Sequence, residues 1–304
     1  MGTISVSGGG GGGGAVILRV NGLSGTSITA TLGSKTVNGT IPTLGVLEMS
    51  LGKVGQWTVK ATSGSYSFTQ QVKAFKYGIT EIWALAKKAF YDCTTTEIQA
   101  IAKSGMASQY WAIGDYHKIT MTDGEEIEVA IADFNHDVTP GGVTIPVTLV
   151  MKNCFKATRV MNNRNTNVGG WTNSNFRTST LPSILSNFPD EWQNIMTTAQ
   201  KKTSQGSSGN SATIVTSDDK VWLLSPVELT GASSPGYAGE GTLYPIFTDD
   251  ASRIKRVNNA ANNYWTRSPA SGYDQDFCYV TSIGGVAHDL AGNTMGISLG
   301  FCVG

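Results

Sequence analysis

Tyr264-Trp265-Thr266-Arg267-Ser268-Pro269 and Gly300-Phe301-Cys302-Val303-Gly304 bracket the C-terminal end of the chain, and between them stands Phe277-Cys278-Tyr279-Val280. These three stretches are apolar or aromatic and read as buried strands. What separates them is short and polar: Ala270 to Asp276, the glycine-marked turn Ser282-Ile283-Gly284-Gly285-Val286, and His288 to Asn293. Buried strands thus bracket loops of Ser, Gly, Asp, Gln, Asn and His.

Working outward, residues 109–304 read as one domain. Lys118-Ile119-Thr120-Met121 and Glu126 to Ala132 form a hairpin across Asp123-Gly124, and Thr144 to Met151 is a further strand. Asn175 to Leu185 and Asp190 to Met196 predict two short helices. Asp218-Asp219 reads as a turn before a strand from Val221, and Gly236-Tyr237-Ala238-Gly239-Glu240-Gly241 as a surface loop. That loop lacks both the Lys-Ser/Thr ending and the following helix of a phosphate-binding motif.

Upstream the text changes twice. Residues 15–76 carry short alternating strands with dense turn signals, such as Gly55-Gln56-Trp57-Thr58-Val59, and predict a small β-sandwich without catalytic residues. Ile79 to Lys103 predicts a helical connector, assigned to residues 77–108. Ile82, Leu85, Ala86 and Ala89 share one face of its first helix, and Thr94 to Glu97 caps a second helix carrying Ile98, Ile101 and Ala102. Residues 1–14 hold seven consecutive glycines. They read either as a flexible linker or as an anchor ordered by neighbouring subunits.

The 304 residues carry 22 basic and 22 acidic side chains, so the charge gives no footprint for nucleic acid or an anionic membrane. With 7 Trp, 10 Tyr and 10 Phe the chain is too aromatic to be disordered. No apolar run is long enough to span a bilayer, and Met1-Gly2-Thr3-Ile4-Ser5-Val6 has neither the basic nor the apolar region of a signal peptide. Assembly in a cytoplasm is therefore expected. Cys93, Cys154, Cys278 and Cys302 show no metal-ligand spacing and sit among apolar neighbours, which predicts buried thiols. A Cys278–Cys302 bridge stays open and requires an oxidising compartment.

The order Gly114-Asp115, Phe134-Asn135-His136-Asp137, Gly169-Gly170-Trp171, Leu224 to Glu228 and Trp265 to Pro269 resembles an uncharacterised domain family of Firmicutes and their prophages. The C-terminal half also resembles C-type-lectin-like domains of the branch shared by formylglycine-generating enzymes and retroelement variable proteins. The first module is similar to the immunoglobulin-like modules of phage and bacterial surface proteins. The expected fold class is thus mainly β, with an immunoglobulin-like sandwich, a short helical connector and an α+β, C-type-lectin-like terminal domain.

The resemblance implies that Trp265 fills the core and that Arg267 crosses to backbone carbonyls, with Cys278 and Cys302 as further structural residues. Tyr273, Asp274, Gln275, Asp276, Ser282, His288, Asp289 and Asn293 are then the expected ligand-binding residues, a mixture that adaptable binding surfaces use. His136 and Asp137 read as a hydrogen-bonded loop lock rather than a metal or acid–base pair. No catalytic residue, metal or cofactor is expected.

The reading that follows is a phage virion protein of tail or fibre, attached to other virion subunits through its N-terminal region. Its C-terminal loops would bind a host surface glycan or protein. A homo-oligomer is expected, with a trimer suiting the glycine anchor, and neither nucleic-acid binding nor membrane insertion. Two alternatives are a head or tail decoration protein without a receptor, and a formylglycine-generating-type oxidase using Cys278 and Cys302. A secreted bacterial adhesin is disfavoured by the missing signal peptide.

Overall fold

The computed structural model describes residues 15–22, 24–63, 66–84, 88–103, 105–206 and 213–304, and the glycine run of residues 1–14 lies outside them. The chain is mainly β with a few short helices, and divides into two compact units.

The first unit contains β1 (Val16–Asn21), β2 (Ser27–Leu32), β3 (Lys35–Thr40), β4 (Val46–Ser50), β5 (Gly55–Ser63), β6 (Tyr66–Ala74) and β7 (Gly78–Trp83). They form a three-stranded sheet, β4-β1-β7, and a four-stranded sheet, β3-β2-β5-β6. Alternation places Leu18 and Val20 of one sheet and Ile28, Trp57, Val59 and Val72 of the other in one apolar cluster. The helix expected from Ile79 is instead β7, which pairs in parallel with β1 from Val16↔Gly78 to Asn21↔Trp83. Gly78-Ile79-Thr80-Glu81-Ile82-Trp83 is rich in β-branched residues, and pairing with an open strand edge outweighs a weak helical period. The unit therefore extends past the expected boundary at residue 76. Leu85 and Ala86, expected on the same helix, lie outside the described residues.

In the second unit α1 (Thr95–Lys103) begins as expected: Thr94 Oγ1 accepts from the Glu97 amide at 3.2 Å while Glu97 accepts from the Thr94 amide at 2.9 Å. There follow α2 (Ala107–Tyr110), β8 (Tyr116–Thr120), β9 (Glu126–Phe134), β10 (Val147–Met151), α3 (Gly170–Asn173) and α4 (Leu181–Ser186). Next come α5 (Asp190–Ile195), β11 (Met196–Thr197), β12 (Ala199–Ser204), β13 (Ile214–Asp219), β14 (Val221–Leu223), α6 (Pro226–Thr230) and α7 (Asp250–Arg253). The chain closes with β15 (Lys255–Val257), β16 (Ala260–Asn262), β17 (Tyr264–Pro269), β18 (Asp276–Val280), β19 (Val286–Leu290) and β20 (Leu299–Val303). Asp218-Asp219, expected as a turn, instead ends β13, paired with β12.

The last strand is central to the larger sheet. β20 pairs with β10 along one edge and with β11 and β14 along the other, so all five of its residues are buried. Its flat Gly300 lets the Trp222 indole lie close against the backbone. A second sheet, β17-β18-β19, carries the expected loops at its ends.

Candidate functional site

Arg267 is the hub of the second unit. β17 is buried along its whole length, and Arg267 itself is 0% exposed. Its guanidinium forks onto Glu228, with Nη1–Oε2 at 2.5 Å and Nη2–Oε1 at 3.0 Å. The remaining donors reach the carbonyls of Leu223, Lys202 and Glu240 and the hydroxyl of Thr203. Six hydrogen bonds thus tie β12, the end of β14, α6 and the loop after α6 to β17.

Glu228 is held by a capping box: the Ser225 hydroxyl accepts from its amide, and its carboxylate accepts from the Ser225 amide. Lys201 Nζ lies 2.6 Å from Glu228 Oε1 and 2.6 Å from Asp137 Oδ1. Asp137 also accepts from Thr148 Oγ1 at 2.7 Å and from the Tyr244 hydroxyl at 2.9 Å. Burial alone would raise the Asp137 carboxyl, but the Lys201 ammonium and the hydroxyl donors outweigh it and bring it down to about 2. Burial likewise opposes ionisation of Glu228, and Arg267 and Lys201 together hold it below its ordinary value. His136, beside Asp137, bridges Asp133 at 2.6 Å and Thr242 at 2.8 Å, a lock between β9 and the loop after α6.

Glu240 is the unexpected member. The glycine-rich segment around it reads as surface, yet its side chain is 0% exposed. One carboxyl oxygen accepts from the Ser204 amide at 2.8 Å and the other shares a hydrogen bond with the Ser268 hydroxyl. Burial pushes this carboxyl up to about 7, against the pull of those bonds and of Arg267. Glycines on both sides let the chain carry one charged side chain inward: Gly239 and Gly241 adopt φ of 87° and 126°.

The two ends of the β17-β18-β19 sheet differ. At one end, loop 271–275 is exposed, and Tyr273 stands 51% exposed. Its ring lies 4.1 Å from the His288 ring, centroid to centroid, and tilted by 33°. His288 Nδ1 in turn lies 2.7 Å from Asp276 Oδ2. Asn167, fully buried, fixes the loop from below. Its side-chain amide donates to the carbonyls of Tyr273 and Asp276, and its backbone amide donates to Asp274. The Ala291 amide donates to the Gln275 carbonyl at 2.9 Å, so the turn bearing Asn293 closes against the same loop.

Two expected residues do not belong to this rim. Ser282 sits at the opposite end of the sheet, in a turn where a Cβ on Gly284 would lie 1.8 Å from the Asp250 carbonyl oxygen and where Arg253 Nε donates to the Gly284 carbonyl. Asp289 pairs with Phe277, whereas His288 pairs with Cys278, so their side chains leave opposite faces of the sheet. A period of two separates neighbours that a composition-based reading groups together. Tyr273, Asp274, Gln275, Asp276, His288 and Asn293 remain at one end.

The segment Asn162-Asn163-Arg164-Asn165-Thr166-Asn167-Val168, which no expectation singled out, completes the rim. Asn165 accepts from the Gly292 amide at 3.0 Å, and Val168 is 66% exposed. Its density of asparagines is the signal that was available, because their side chains satisfy irregular backbone.

Trp265 is fully buried and donates to the Arg159 carbonyl at 3.0 Å. Cys278 and Cys302 are free and buried, not bridged. Burial raises both thiols well above their ordinary value, with nearby carboxylates adding to it. Cys278 contacts the Pro269 carbonyl and Cys302 the Thr148 hydroxyl. Among the described residues no three His, Cys, Asp or Glu side chains converge as a metal-ligand set.

A family model described as a domain of unknown function, DUF6273, matches residues 146–303, from the start of β10 to the end of β20. No curated protein and no solved structure matches the chain.

Proposed function

From a chain that belongs to the DUF6273 family, whose description assigns no activity, we propose an attachment protein of a phage virion that binds a host surface glycan through the rim at Tyr273. The observation that carries this reading is the Tyr273–His288 ring contact: an exposed aromatic ring beside a histidine that Asp276 orients. A flat ring beside a carboxylate and an imidazole offers what a sugar requires, an apolar face for C–H groups and polar atoms for hydroxyls. Rigidity supports it further. Side chains that are already ordered lose little freedom on binding, and the rim rests on Asn167 and on the Arg267 cluster. Attachment to other virion subunits through the N-terminal region belongs to the same proposal and rests on the resemblance of the first module.

The test compares purified wild type with Tyr273→Ala and with Ser282→Ala, which lies at the far end of the same sheet. Saturable binding to host cells, lost in Tyr273→Ala and kept in Ser282→Ala, is expected. Periodate treatment of the cells removes the binding if the ligand is a glycan and leaves it if the ligand is a protein. Absence of binding by folded wild type across hosts would move the assignment to a decoration protein.

A further inference from the structure

The segment after α6 runs from Gly231 through Pro235 and Glu240 to Tyr244 and forms a strap under the rim. The Pro235 carbonyl accepts from the Ser271 amide at 2.8 Å, at the start of the rim loop. Gly236 packs so closely that a Cβ there would lie 3.3 Å from Ser268 Cβ and 3.4 Å from Cys278 Sγ. Four residues after Gly236, Glu240 fastens the strap to Ser204 at the end of β12 and to Ser268 of β17, three residues before Ser271. The strap thus holds the rim loop at Ser271, and is itself fastened to the strand that leads into that loop by a single buried carboxyl group.

The charges around that carboxyl decide its state. Asp137 and Glu228 contribute two negative charges, and Lys201 and Arg267 two positive ones, all buried and mutually paired. The set is neutral without Glu240. An ionised Glu240 would add an uncompensated negative charge to a sealed cluster, where burial disfavours it. The groups facing it from neighbouring elements are Arg267 and Ser268 on β17, Ser204 on β12, Glu228 on α6 and Cys278 on β18. Only Arg267 is cationic, and its fork is already committed to Glu228.

We propose that Glu240 is a proton-controlled latch on the rim: protonated, it lets the strap close on Ser204 and Ser268 beside loop 271–275, whereas ionised, its uncompensated buried charge drives the strap open toward water and weakens ligand binding. This regulation rests on the rim being the binding site. Burial raises the Glu240 carboxyl to about 7, which places the transition near neutrality.

The decisive readout needs no ligand. The Ser271 amide, bonded to the strap, is followed by hydrogen exchange, each rate divided by its intrinsic rate at the same pH. Protection is expected to fall at least about tenfold from about pH 5.5 to about pH 8.5 in wild type, and to stay constant in Glu240→Gln, which keeps a neutral group of the same shape. An equal fall in both proteins, or none in wild type, overturns the latch. Should Glu240→Gln not fold, Ser268→Ala serves instead. It removes the carboxyl's partner, is expected to lower protection at acidic pH toward the alkaline wild-type level, and argues against the latch if protection is unaltered.

Binding to intact host cells at the same two pH values is the second arm. Latch behaviour in exchange with no binding at either pH would refute the attachment reading and leave the latch standing. Binding with no dependence on pH would do the reverse.

Discussion

The two units solve the same packing problem with opposite materials. The first surrounds Trp57 with aliphatic side chains, and its only buried polar side chains among the described residues are Asn21 and Thr26. The second contains all eight Asp, Glu, Lys and Arg side chains that are buried among the described residues: Asp137, Lys201, Asp219, Glu228, Glu240, Arg253, Lys255 and Arg267. Regular strands explain the first solution, because their backbone groups satisfy one another and leave the core to apolar contact. The second unit threads long irregular segments through its interior, and their carbonyls and amides need partners. Arg267, Glu228, Asn167 and Glu240 supply them. A buried charge is therefore an organiser of loops here more than a source of net stability.

The largest effects test that contrast. Arg267→Ala leaves buried Glu228 and Asp137 to share the single cation Lys201, and is expected to cost the second unit about 3–5 kcal/mol, read from denaturant unfolding followed in that unit. Amide exchange in β1 and β5 should not change. Trp57→Ala is the converse, with about 3–5 kcal/mol lost from the first unit by cavity formation and no effect on the Arg267 cluster. If Arg267→Met were as stable as wild type, the organising role assigned to the cluster would be wrong.

An intermediate effect comes from pH. The Glu240 carboxyl is raised from 4.5 to about 7, so the folded unit retains a proton that the unfolded chain releases. That contribution, roughly 3 kcal/mol, is complete below about pH 4.5 and is lost as pH rises through about 7. Asp137 behaves oppositely: lowered from 3.8 to about 2, it contributes above 3.8 and is lost as pH falls toward 2. Stability of the second unit should peak near about pH 4–5, fall toward neutrality and fall again in strong acid. Chemical denaturation across pH checks this, and Glu240→Gln should remove only the neutral limb.

The smaller effects lie at the rim. Asn167→Ala removes two side-chain hydrogen bonds to the Tyr273 and Asp276 carbonyls and should cost about 1–3 kcal/mol, with the loss of protection concentrated in residues 271–276. Tyr273→Ala, at an exposed position, should change stability by no more than about 0.5 kcal/mol while abolishing cell binding. A large stability loss there would show that the ring is part of the packing.

How the amino-acid text relates to these two regions also differs. Alternation in Ile28-Thr29-Ala30 and Trp57-Thr58-Val59 announces strands because each residue's neighbours on the sheet are set by a local period. The helical reading of Ile79 to Trp83 fails where a distant strand, β1, offers an edge. In the second unit Trp265 and Arg267 stand out by residue type, and the loop cluster around Tyr273 by composition. Composition carries no direction, however, and so it groups Ser282 and Asp289 with residues that face elsewhere.

What the sequence by itself determined is the mainly β class, the strands around Trp265 and Phe301, the burial of the cysteines and the cap at Thr94. Each is written in a period, a residue type or a spacing of a few positions. Only the tertiary structure decided that Glu240 turns inward from a glycine-rich loop, that Asn167 supports the rim, and that Tyr273, Asp276 and His288 meet. These contacts join segments tens of residues apart or lie diagonally across a hairpin, and their energy depends on burial and charge balance, which exist only once the chain has closed on itself.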